Sequence, residues 1–427
     1  MAGISTHSPK IVWSELGSIA PTAQATEADA ICGRLPRFVV EPSTAEEVAA
    51  VLRWANRNAV VVAARGNGTK LGWGAPPEAL EVVVSLSKLN RVIEHAWGDM
   101  TATVEPGCTV AELERTLAQH GQRLAVEPLF AERATIGGIV ASNDNGPLRA
   151  RFGSVRDLII GVTLALADGT LARSGGKVVK NVAGYDLPKL ATGSLGTLGI
   201  IAQAIFRLHP LPPAERTCSF RFESLATAHQ AALALLDSVL TFTGLQLRTS
   251  GSPLCTLDVR FEGVANAVEE QAERAGRIIG NALGVAGDGL LPSQAGQWQS
   301  SSALWQGPPD CICRFSVLPT EVASFLNRAH SLAEPLAVRT HACAQVVGVG
   351  LLRLDGAPDA LLSIVGELRR LAAQRHGSVV VLHAPRELYS RLDPWGPVGA
   401  SLSVMRRMKQ QFDPNGILNR GRFVGGI

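Results

Sequence analysis

Glycine is concentrated between residues 175 and 201, and this segment constrains the fold more than any other part of the chain. It contains Gly175, Gly176, Gly184, Gly193, Gly196 and Gly199, together with hydroxyl side chains at Ser194 and Thr197. Backbone without Cβ atoms can approach a ligand closely and can direct N–H groups at an anion. The alternative is a tight connection in which the glycines only make room for packing. We favour a ligand site, because two further glycine-rich segments lie upstream.

The first upstream segment, Arg65-Gly-Asn-Gly-Thr-Lys-Leu-Gly72, directly follows the apolar run 60–64. A Rossmann fold also places glycines after a strand, but with a different spacing. Residues 72–77 are moreover too rich in glycine and proline to begin the helix that a Rossmann fold requires. We therefore reject a Rossmann fold. We expect the loop amides to hold a phosphate, with Arg65 or Lys70 as the counter-charge.

The second upstream segment, residues 134–143, combines Gly137 and Gly138 with hydroxyl groups at Thr135 and Ser142. Two interpretations are equally compatible with it. The small residues could form a wall for a flat aromatic ligand, or the glycine pair could let a helix pack tightly on a sheet.

The periodicity of apolar residues predicts an α+β fold. Capping boxes at Ser43 with Glu46 and at Thr109 with Glu112 mark two helix starts in the first half. After Pro213 the glycine-rich segments end, and a β-α-β-β-α pattern occurs twice. We predict strands at 217–222, 244–249, 254–262, 311–317, 336–342, 345–354 and 378–383, and helices at 224–240, 264–283, 320–332 and 358–375.

Composition excludes several classes of protein. The 427 residues exceed the roughly 250–300 that one core supports, so two or three domains are expected. The net charge of +3 is spread along the chain, which argues against a nucleic-acid partner, and no run of about 18 apolar residues predicts a membrane span. The seven cysteines include no C-x-x-C pair, so we expect neither an iron–sulfur cluster nor a metal site, and we interpret Cys311 and Cys313 as core thiols on one strand face. These features predict a cytoplasmic protein.

Taken together, these motifs resemble the flavoprotein family of p-cresol methylhydroxylase and vanillyl-alcohol oxidase (the PCMH type). Residues 42–48 look like the family's opening helix, residues 65–69 and 135–142 like its two pyrophosphate segments, and residues 193–200 like the strand beside the adenosine and ribityl part of FAD. The resemblance implies that FAD contacts Arg65, Gly66, Asn67, Gly68, Thr69, Thr135, Gly137, Gly138, Ser142, Gly193, Ser194, Gly196, Thr197, Gly199, Ile200 and Asn419. Thr69 and Lys70 stand where some relatives carry a flavin-linking histidine, so non-covalent FAD is expected.

The resemblance also implies a domain plan. We expect an N-terminal arm without a site (1–35), a two-subdomain FAD-binding domain (36–212), an α+β cap with ferredoxin-like repeats (213–395), and a C-terminal segment that returns to the FAD-binding domain (396–427).

Two segments, 180–190 and 412–419, are similar to the 2-hydroxyacid dehydrogenase branch of the family, and the first is most similar to a flavin subunit of bacterial glycolate oxidase. This resemblance implies oxidation of glycolate or another small 2-hydroxy acid. It also implies two partners, a second FAD-binding catalytic subunit and an iron–sulfur subunit, which could place the protein at the inner membrane. One departure matters: catalytic relatives carry a histidine-rich segment where this chain has only His383. A non-catalytic electron-relay or structural subunit, or a standalone dehydrogenase for another 2-hydroxy acid, are therefore the alternatives.

Oxidation of a 2-hydroxy acid needs a cation for the carboxylate and a base for the hydroxyl group. The candidates in the second half are Arg248, Arg260, Arg314, Arg339, His341 and His383. The sequence singles out none of them as catalytic.

Overall fold

The computed structural model describes residues 12–177, 184–251, 254–284, 290–291 and 297–427. The first elements of the chain form a small, mostly parallel sheet. The elements of this part are α1 (Ser14–Ile19), β1 (Thr22–Gln24), β2 (Phe38–Val40), α2 (Ala45–Arg57), β3 (Val62–Arg65) and β4 (Val82–Ser85). The strand order is β1-β2-β4-β3, and β4 pairs in parallel with both β2 and β3. Every residue of β4 is buried, as expected for a strand covered on both faces.

Helix α2 forms where the sequence predicts it, but its cap differs. Thr44, not Ser43, is the N-cap, and its Oγ1 accepts the amide N–H of Glu47 at 3.1 Å. The Glu47 carboxylate in turn accepts the backbone N–H of Ser43 at 2.7 Å. The predicted pair of Ser43 with Glu46 is therefore wrong by one residue, because the chain stays extended through Thr44.

A five-stranded antiparallel sheet follows. Its part of the chain contains β5 (Val92–Ala96), β6 (Thr101–Val104), α3 (Val110–Ala118), β7 (Gln122–Arg123), α4 (Ile136–Ser142), α5 (Arg149–Phe152), α6 (Val155–Leu158), β8 (Ile159–Ala165), β9 (Leu171–Gly175), α7 (Leu187–Ala191), β10 (Ile200–Arg207) and β11 (His209–Pro210). The strand order is β5-β6-β10-β8-β9, and β7 pairs separately with β11. Thr109 caps α3 as predicted, since its Oγ1 accepts the N–H of Glu112 at 3.1 Å.

One glycine-rich segment forms an element that was among its two interpretations, and another differs from the strand expected there. Residues 136–142 form helix α4 with Thr135 as N-cap, so the glycine pair lies in a helical turn, as the packing alternative predicts. Residues 193–199 form a loop and not a strand, because Gly196 adopts a φ of +71° that a β-strand does not allow. The strand begins only at Ile200. Residues 180–183, part of the segment most similar to the glycolate oxidase subunit, lie outside the described residues.

The second half of the chain, which we call the cap, is built on one large antiparallel sheet. Its elements are β12 (Ala214–Phe222), α8 (Leu225–Leu236), β13 (Phe242–Thr249), β14 (Cys255–Gly263), α9 (Ala265–Leu283), β15 (Leu290–Leu291), α10 (Ser300–Ala303), β16 (Cys311–Ser316), α11 (Val322–Ala333), β17 (Arg339–Gln345), β18 (Val349–Asp355), α12 (Pro358–Ala373), β19 (Ser378–His383) and α13 (Arg386–Tyr389). Within the described residues the sheet order is β15-β12-β14-β13-β17-β18-β16-β19.

This order reveals two ferredoxin-like units joined edge to edge. Strands β12 to β15 form the first unit and β16 to β19 the second, and each places its strands in the order four, one, three, two. The second strands of the two units, β13 and β17, pair with each other and fuse the units into one sheet. The predicted repeats are thus confirmed, although the two-residue strand β15 was not predicted.

Apolar side chains on one face of the cap sheet pack against its helices. Cys311 and Cys313 share this face in the core, with their sulfur atoms 3.7 Å apart, which confirms the predicted core thiols. The opposite face meets the first half of the chain, where Trp73 and Leu129 pack against the cap. None of the helices in the described ranges combines the length and apolar character that a membrane crossing requires.

The last helix, α14 (Leu402–Phe412), leads the chain back to the first sheet. The buried carboxylate of Asp413 accepts the N–H groups of Ile417 at 2.9 Å and Leu418 at 2.7 Å, and Lys409 Nζ lies 2.6 Å from it. Ile417 and Leu418 are buried in the core of the first sheet, and Leu418 bridges Val62 of β3. A single acidic side chain therefore holds the turn that returns the tail.

Replacing Asp413 by alanine tests this role. Because Asp413→Ala removes the acceptor from two buried amides and a buried ammonium group, we expect the free energy of unfolding to fall by about 3 kcal/mol. The exposed carboxylate of Asp359, which pairs with Arg391 at 2.7 Å, provides the matched control, and Asp359→Ala should change stability by less than about 1 kcal/mol. Urea-induced unfolding monitored by tryptophan fluorescence measures both. Equal losses in the two variants would contradict the role of Asp413.

Candidate functional site

The glycine-rich segments and the C-terminal tail meet at one cleft, which we call the glycine cleft. The predicted residues that line it are Arg65, Gly66, Asn67, Gly68, Thr69, Thr135, Gly137, Gly138, Ser142, Gly196, Gly199, Ile200 and Asn419. The first segment follows strand β3, the second forms helix α4, and the third leads into strand β10. Segments that are far apart in sequence thus form one concave surface.

Three further predicted residues shape a loop beside the cleft but do not line it. The Gly193 N–H donates to the Val140 carbonyl at 2.9 Å. The Ser194 hydroxyl group donates to the Ala191 carbonyl at the end of helix α7, and the Thr197 hydroxyl group donates to the Ser194 carbonyl, each at 2.7 Å. These hydroxyl groups therefore stabilise the loop.

The loop after β3 offers free N–H groups to the cleft. Within the described part of the chain, the amides of Asn67, Gly68 and Thr69 donate to no protein acceptor. The loop lies close to the start of α4, since a Cβ atom on Gly66 would lie only 2.2 Å from Thr135 Oγ1. Neighbouring amides without acceptors can bind an anion.

The two predicted counter-charges are already engaged. Arg65 Nη1 lies 2.6 Å from Asp29 Oδ1, and both side chains are largely buried. The Thr26 N–H donates to the Asp29 carboxylate, and this hydrogen bond lowers the pKa of Asp29. Partial burial raises this pKa, but the Arg65 side chain lowers it further. Lys70 Nζ lies 3.1 Å from Asp144 and also donates to the Leu129 carbonyl at 3.1 Å. The N-terminal arm, expected to carry no site, thus supplies the counter-ion of Arg65, a residue that lines the cleft.

Arg422 is a lining residue that the sequence interpretation missed. Its guanidinium donates to the carbonyls of Trp73 at 2.7 Å and Ala75 at 3.2 Å, and no carboxylate among the described residues pairs with it. Burial lowers the pKa of Arg422, but an arginine keeps its charge in proteins. The cleft wall therefore holds a positive charge without a protein counter-ion. The only signal in the sequence was the basic character of the tail after Asn419.

Two buried polar atoms of the cleft wall have no partner among the described residues, namely Asn419 Oδ1 and Trp73 Nε1. The other end of the Asn419 amide is fixed, because its Nδ2 donates to the Leu195 carbonyl. Buried polar atoms are rarely left without a hydrogen-bond partner in native proteins, so two such atoms in the wall of one cleft indicate that a ligand binds there. The predicted FAD fits these features, since its pyrophosphate needs N–H groups and a cation, and its ring systems carry donors and acceptors.

A second cavity, the cap cavity, lies between the cap sheet and the first half of the chain. Its wall includes Trp73, Asp144, Arg149, Arg314 and Leu351, and Trp73 also lines the glycine cleft. Arg314 is the one predicted catalytic candidate that lines this cavity. Burial lowers the pKa of its guanidinium, whereas the nearby Asp144 carboxylate opposes this effect.

The structure places the other candidates elsewhere. Arg260 pairs with Glu127 at 2.7 Å and Arg248 with Asp258 at 2.5 Å. Arg339 and His341 line a separate surface cleft, and His383 lies beside the Trp305 ring, where burial lowers its pKa. In the described ranges, no three His, Cys, Asp or Glu side chains come together as a group that could hold a metal ion.

Glu114 of helix α3 also lines the cap cavity and was not singled out by the sequence. Burial raises the pKa of its carboxyl group to about 7, although the Leu124 N–H donates to it at 3.0 Å. A carboxyl group with this pKa can accept or release a proton near neutral pH.

The raised pKa of Glu114 predicts a pH dependence of stability. The folded state binds this proton more tightly than the unfolded chain, whose carboxyl group has its ordinary pKa near 4.5. Its contribution is therefore fully present below about pH 4.5 and is lost as the pH rises through 7, at no more than about 1.4 kcal/mol per pH unit. Glu114→Gln should flatten this part of the curve, measured by urea unfolding at several pH values between 5 and 8. Glu132→Gln, at an exposed glutamate of the same cavity, is the control, and parallel curves for wild type and Glu114→Gln would disprove the assignment.

Comparison with family models matches both halves of the chain. Residues 36–175 match a model described as an FAD binding domain. Residues 211–423 match the C-terminal domain of FAD linked oxidases. Together the two matches span most of the chain.

Three of the similar proteins are a glycolate oxidase subunit and two dehydrogenases of 2-hydroxy acids. The chain is 26% identical to the glycolate oxidase subunit GlcD of Bacillus subtilis, over 91% of this chain and 89% of that protein. It is 28% identical to a D-lactate dehydrogenase of Archaeoglobus fulgidus, over 90% and 91% of the two chains. It is 26% identical to a D-2-hydroxyglutarate dehydrogenase of Xanthomonas citri pv. viticola, over 91% and 89%. Among solved structures, an alkyldihydroxyacetonephosphate synthase shares the fold, with a TM-score of 0.67 at 19% identity over 91% of this chain and 77% of that one.

Proposed function

The chain belongs to the family of FAD-linked oxidases, and we propose that it is the FAD-binding E subunit of a glycolate oxidase, which oxidises glycolate to glyoxylate and passes the electrons to a partner. The coarser assignment, an FAD-dependent 2-hydroxy acid oxidoreductase, rests on the family and on its named relatives. The observation that carries the cofactor-binding part of the proposal is the unpaired Asn419 Oδ1, buried in a cleft whose glycine loops present free amides. The glycolate oxidase part is supported by the similarity to the Bacillus subunit.

In this proposal, the N–H groups of residues 67–69 hold the FAD pyrophosphate, and the charge of Arg422 compensates the phosphates. The backbone at Gly196 and Gly199 and the amide of Asn419 contact the rest of the dinucleotide. Thr69 and Lys70 replace any flavin-linking histidine, so the cofactor is held non-covalently. FAD, when bound, supplies the two-electron acceptor that amino-acid side chains lack.

The electrons must leave the flavin, and the cysteine pattern of this chain provides no cluster site for the next step. An iron–sulfur subunit and a second FAD-binding catalytic subunit are the proposed partners. The Bacillus relative is a subunit of glycolate oxidase, which supports an assembly of this kind. The lone His383 in place of a histidine-rich segment favours a second candidate function, an FAD-binding electron-relay subunit without its own turnover.

Purification of the chain alone separates these functions. We expect a yellow protein with flavin absorbance that trichloroacetic acid releases into the supernatant, since no covalent link is proposed. Anaerobic bleaching by glycolate would establish autonomous oxidation, whereas yellow protein that glycolate leaves oxidised would identify the relay subunit. D-Lactate and D-2-hydroxyglutarate, tested in parallel, report on the substrate. A well-folded chain that takes up no added FAD would refute the proposal.

Substitution of Gly196 tests the cofactor site itself. Gly196 has a φ of +71°, and a Cβ atom there would lie 3.8 Å from Asn419 Nδ2 within the cleft. Gly196→Val should therefore lower flavin content strongly, in addition to a backbone strain of about 1–2 kcal/mol. Gly121, with a φ of +64° and open space around it, matches this strain away from the cleft. Gly121→Val should keep full flavin content, and equal flavin loss in both variants would count against the site.

A further inference from the structure

The first half of the chain covers only part of the cap sheet face that it meets. On strand β17, Cys343 is buried in the apolar cluster that includes Trp73 and Leu129. Further along the same strand, His341 is half-buried and Arg339 is exposed. The uncovered part of the face forms a surface cleft of about 490 Å³, which we call the basic cleft. Its volume lies within the range of small-molecule sites.

Basic side chains reach this cleft from several strands of the sheet. Arg221 of β12 and Arg248 of β13 flank β14, because both are in register with Thr256. On β17 and β18, His341 lies directly opposite Arg353. The basic residues of the cleft wall are Arg221, Arg248, Arg339, His341 and Arg353. Like charges gathered on one sheet face repel each other, so packing of the sheet does not explain this arrangement.

Two carboxylates compensate two of the four arginines. The fully buried carboxylate of Asp258 lies 2.5 Å from Arg248 Nε. The carboxylate of Asp355 lies 2.7 Å from Arg353 Nε. Each acidic side chain is therefore already paired with one arginine.

Arg221 and Arg339 are the two arginines of the cleft that remain. Both are exposed, and within the described ranges neither side chain forms an ion pair or donates a hydrogen bond. Arg339 lies opposite Asp355 in the ladder, but that carboxylate is occupied by Arg353. The cleft therefore presents two positive charges that can bind anionic groups.

We propose that the basic cleft binds a small molecule with at least two anionic groups, one held by Arg221 and the other by Arg339. Strands β12 and β17 are three positions apart in the sheet, which is about 14 Å at the usual strand spacing. Two separate anionic groups match this spread better than one. The hydroxyl group of Thr256 lies on the strand between Arg221 and Arg248 and can donate to the ligand.

The chemistry of the arginines defines the ligand class. A guanidinium fork binds two oxygens of a carboxylate or of a phosphate at once, so the ligand is a polycarboxylate or a phosphorylated compound. No residue of the basic cleft lines the glycine cleft. The inference therefore does not depend on flavin binding or on the proposed function.

Tricarballylate and inorganic pyrophosphate are suitable probes, because both carry several negative charges and neither has a hydroxyl-bearing carbon that a flavin could oxidise. Isothermal titration of the full chain measures their dissociation constants. We expect one of them to bind saturably to the wild type, and acetate, with its single carboxylate, to bind much more weakly. Tighter binding of tricarballylate would identify a polycarboxylate site, and tighter binding of pyrophosphate a phosphate site.

Substitution locates the binding. Arg221→Gln and Arg339→Gln should each weaken it about 5-fold or more, less than for a buried pair because both side chains are exposed. The double variant should lose about 25-fold, since effects at distant positions add. Arg277→Gln is the matched control: Arg277 is an exposed arginine of α9, on the helix side of the same sheet, and its loss should leave the affinity unchanged.

Thermal melting identifies any variant that fails to fold, and the remaining single variant then carries the test. Absence of saturable binding of both probes to the wild type would overturn the inference. Binding that is equally strong in the wild type, Arg221→Gln and Arg339→Gln would overturn it too, because the ligand would then lie elsewhere on the chain.

Discussion

The buried carboxylate of Asp413 holds the turn that brings the C-terminal residues to the first sheet. It gathers two amides and the Lys409 ammonium group at distances of 2.6–2.9 Å, in a place where any one of them alone would be costly to bury. The turn that results seats Leu418 beside β3 and leaves Asn419 and Arg422 in the wall of the glycine cleft. The cleft is therefore a product of the last residues of the chain as much as of its glycine loops.

The basic side chains around the two cavities fall into two groups, those that pair with a carboxylate and those that do not. Arg65 and Lys70, which the sequence offers as counter-charges, are neutralised by Asp29 and Asp144. Arg422, Arg149 and Arg314 instead form no ion pair among the described residues, and each lines a cavity. Tertiary contacts make this distinction. A basic side chain that pairs with a carboxylate stabilises the fold, whereas one without such a pair remains available to an anion.

The sequence predicted the cap well, because its strands and helices bury long apolar faces with clear periods, as in β14 and α12. It also located the glycine segments and the return of Asn419. It failed where a few residues decide the outcome. The helix cap is Thr44 and not Ser43, and the hydroxyl groups of Ser194 and Thr197 donate to nearby backbone carbonyls and not into the cleft. It could not find Arg149 or Arg422, since whether an arginine has a counter-ion depends on residues far away in the chain.

The two joined ferredoxin-like units share one strand order but use an equivalent strand position differently. Strands β12 and β16 are equivalent, and both place a cysteine and a phenylalanine toward the helices, with one residue between them toward the open face. In the first unit this residue is Ser219, which donates to Asp258 at 2.7 Å and so helps to fix the sheet. In the second unit it is Arg314, opposite Leu351 on the neighbouring strand. The same strand position thus serves the architecture in one unit and faces a cavity in the other, so one fold pattern used twice yields two different surfaces.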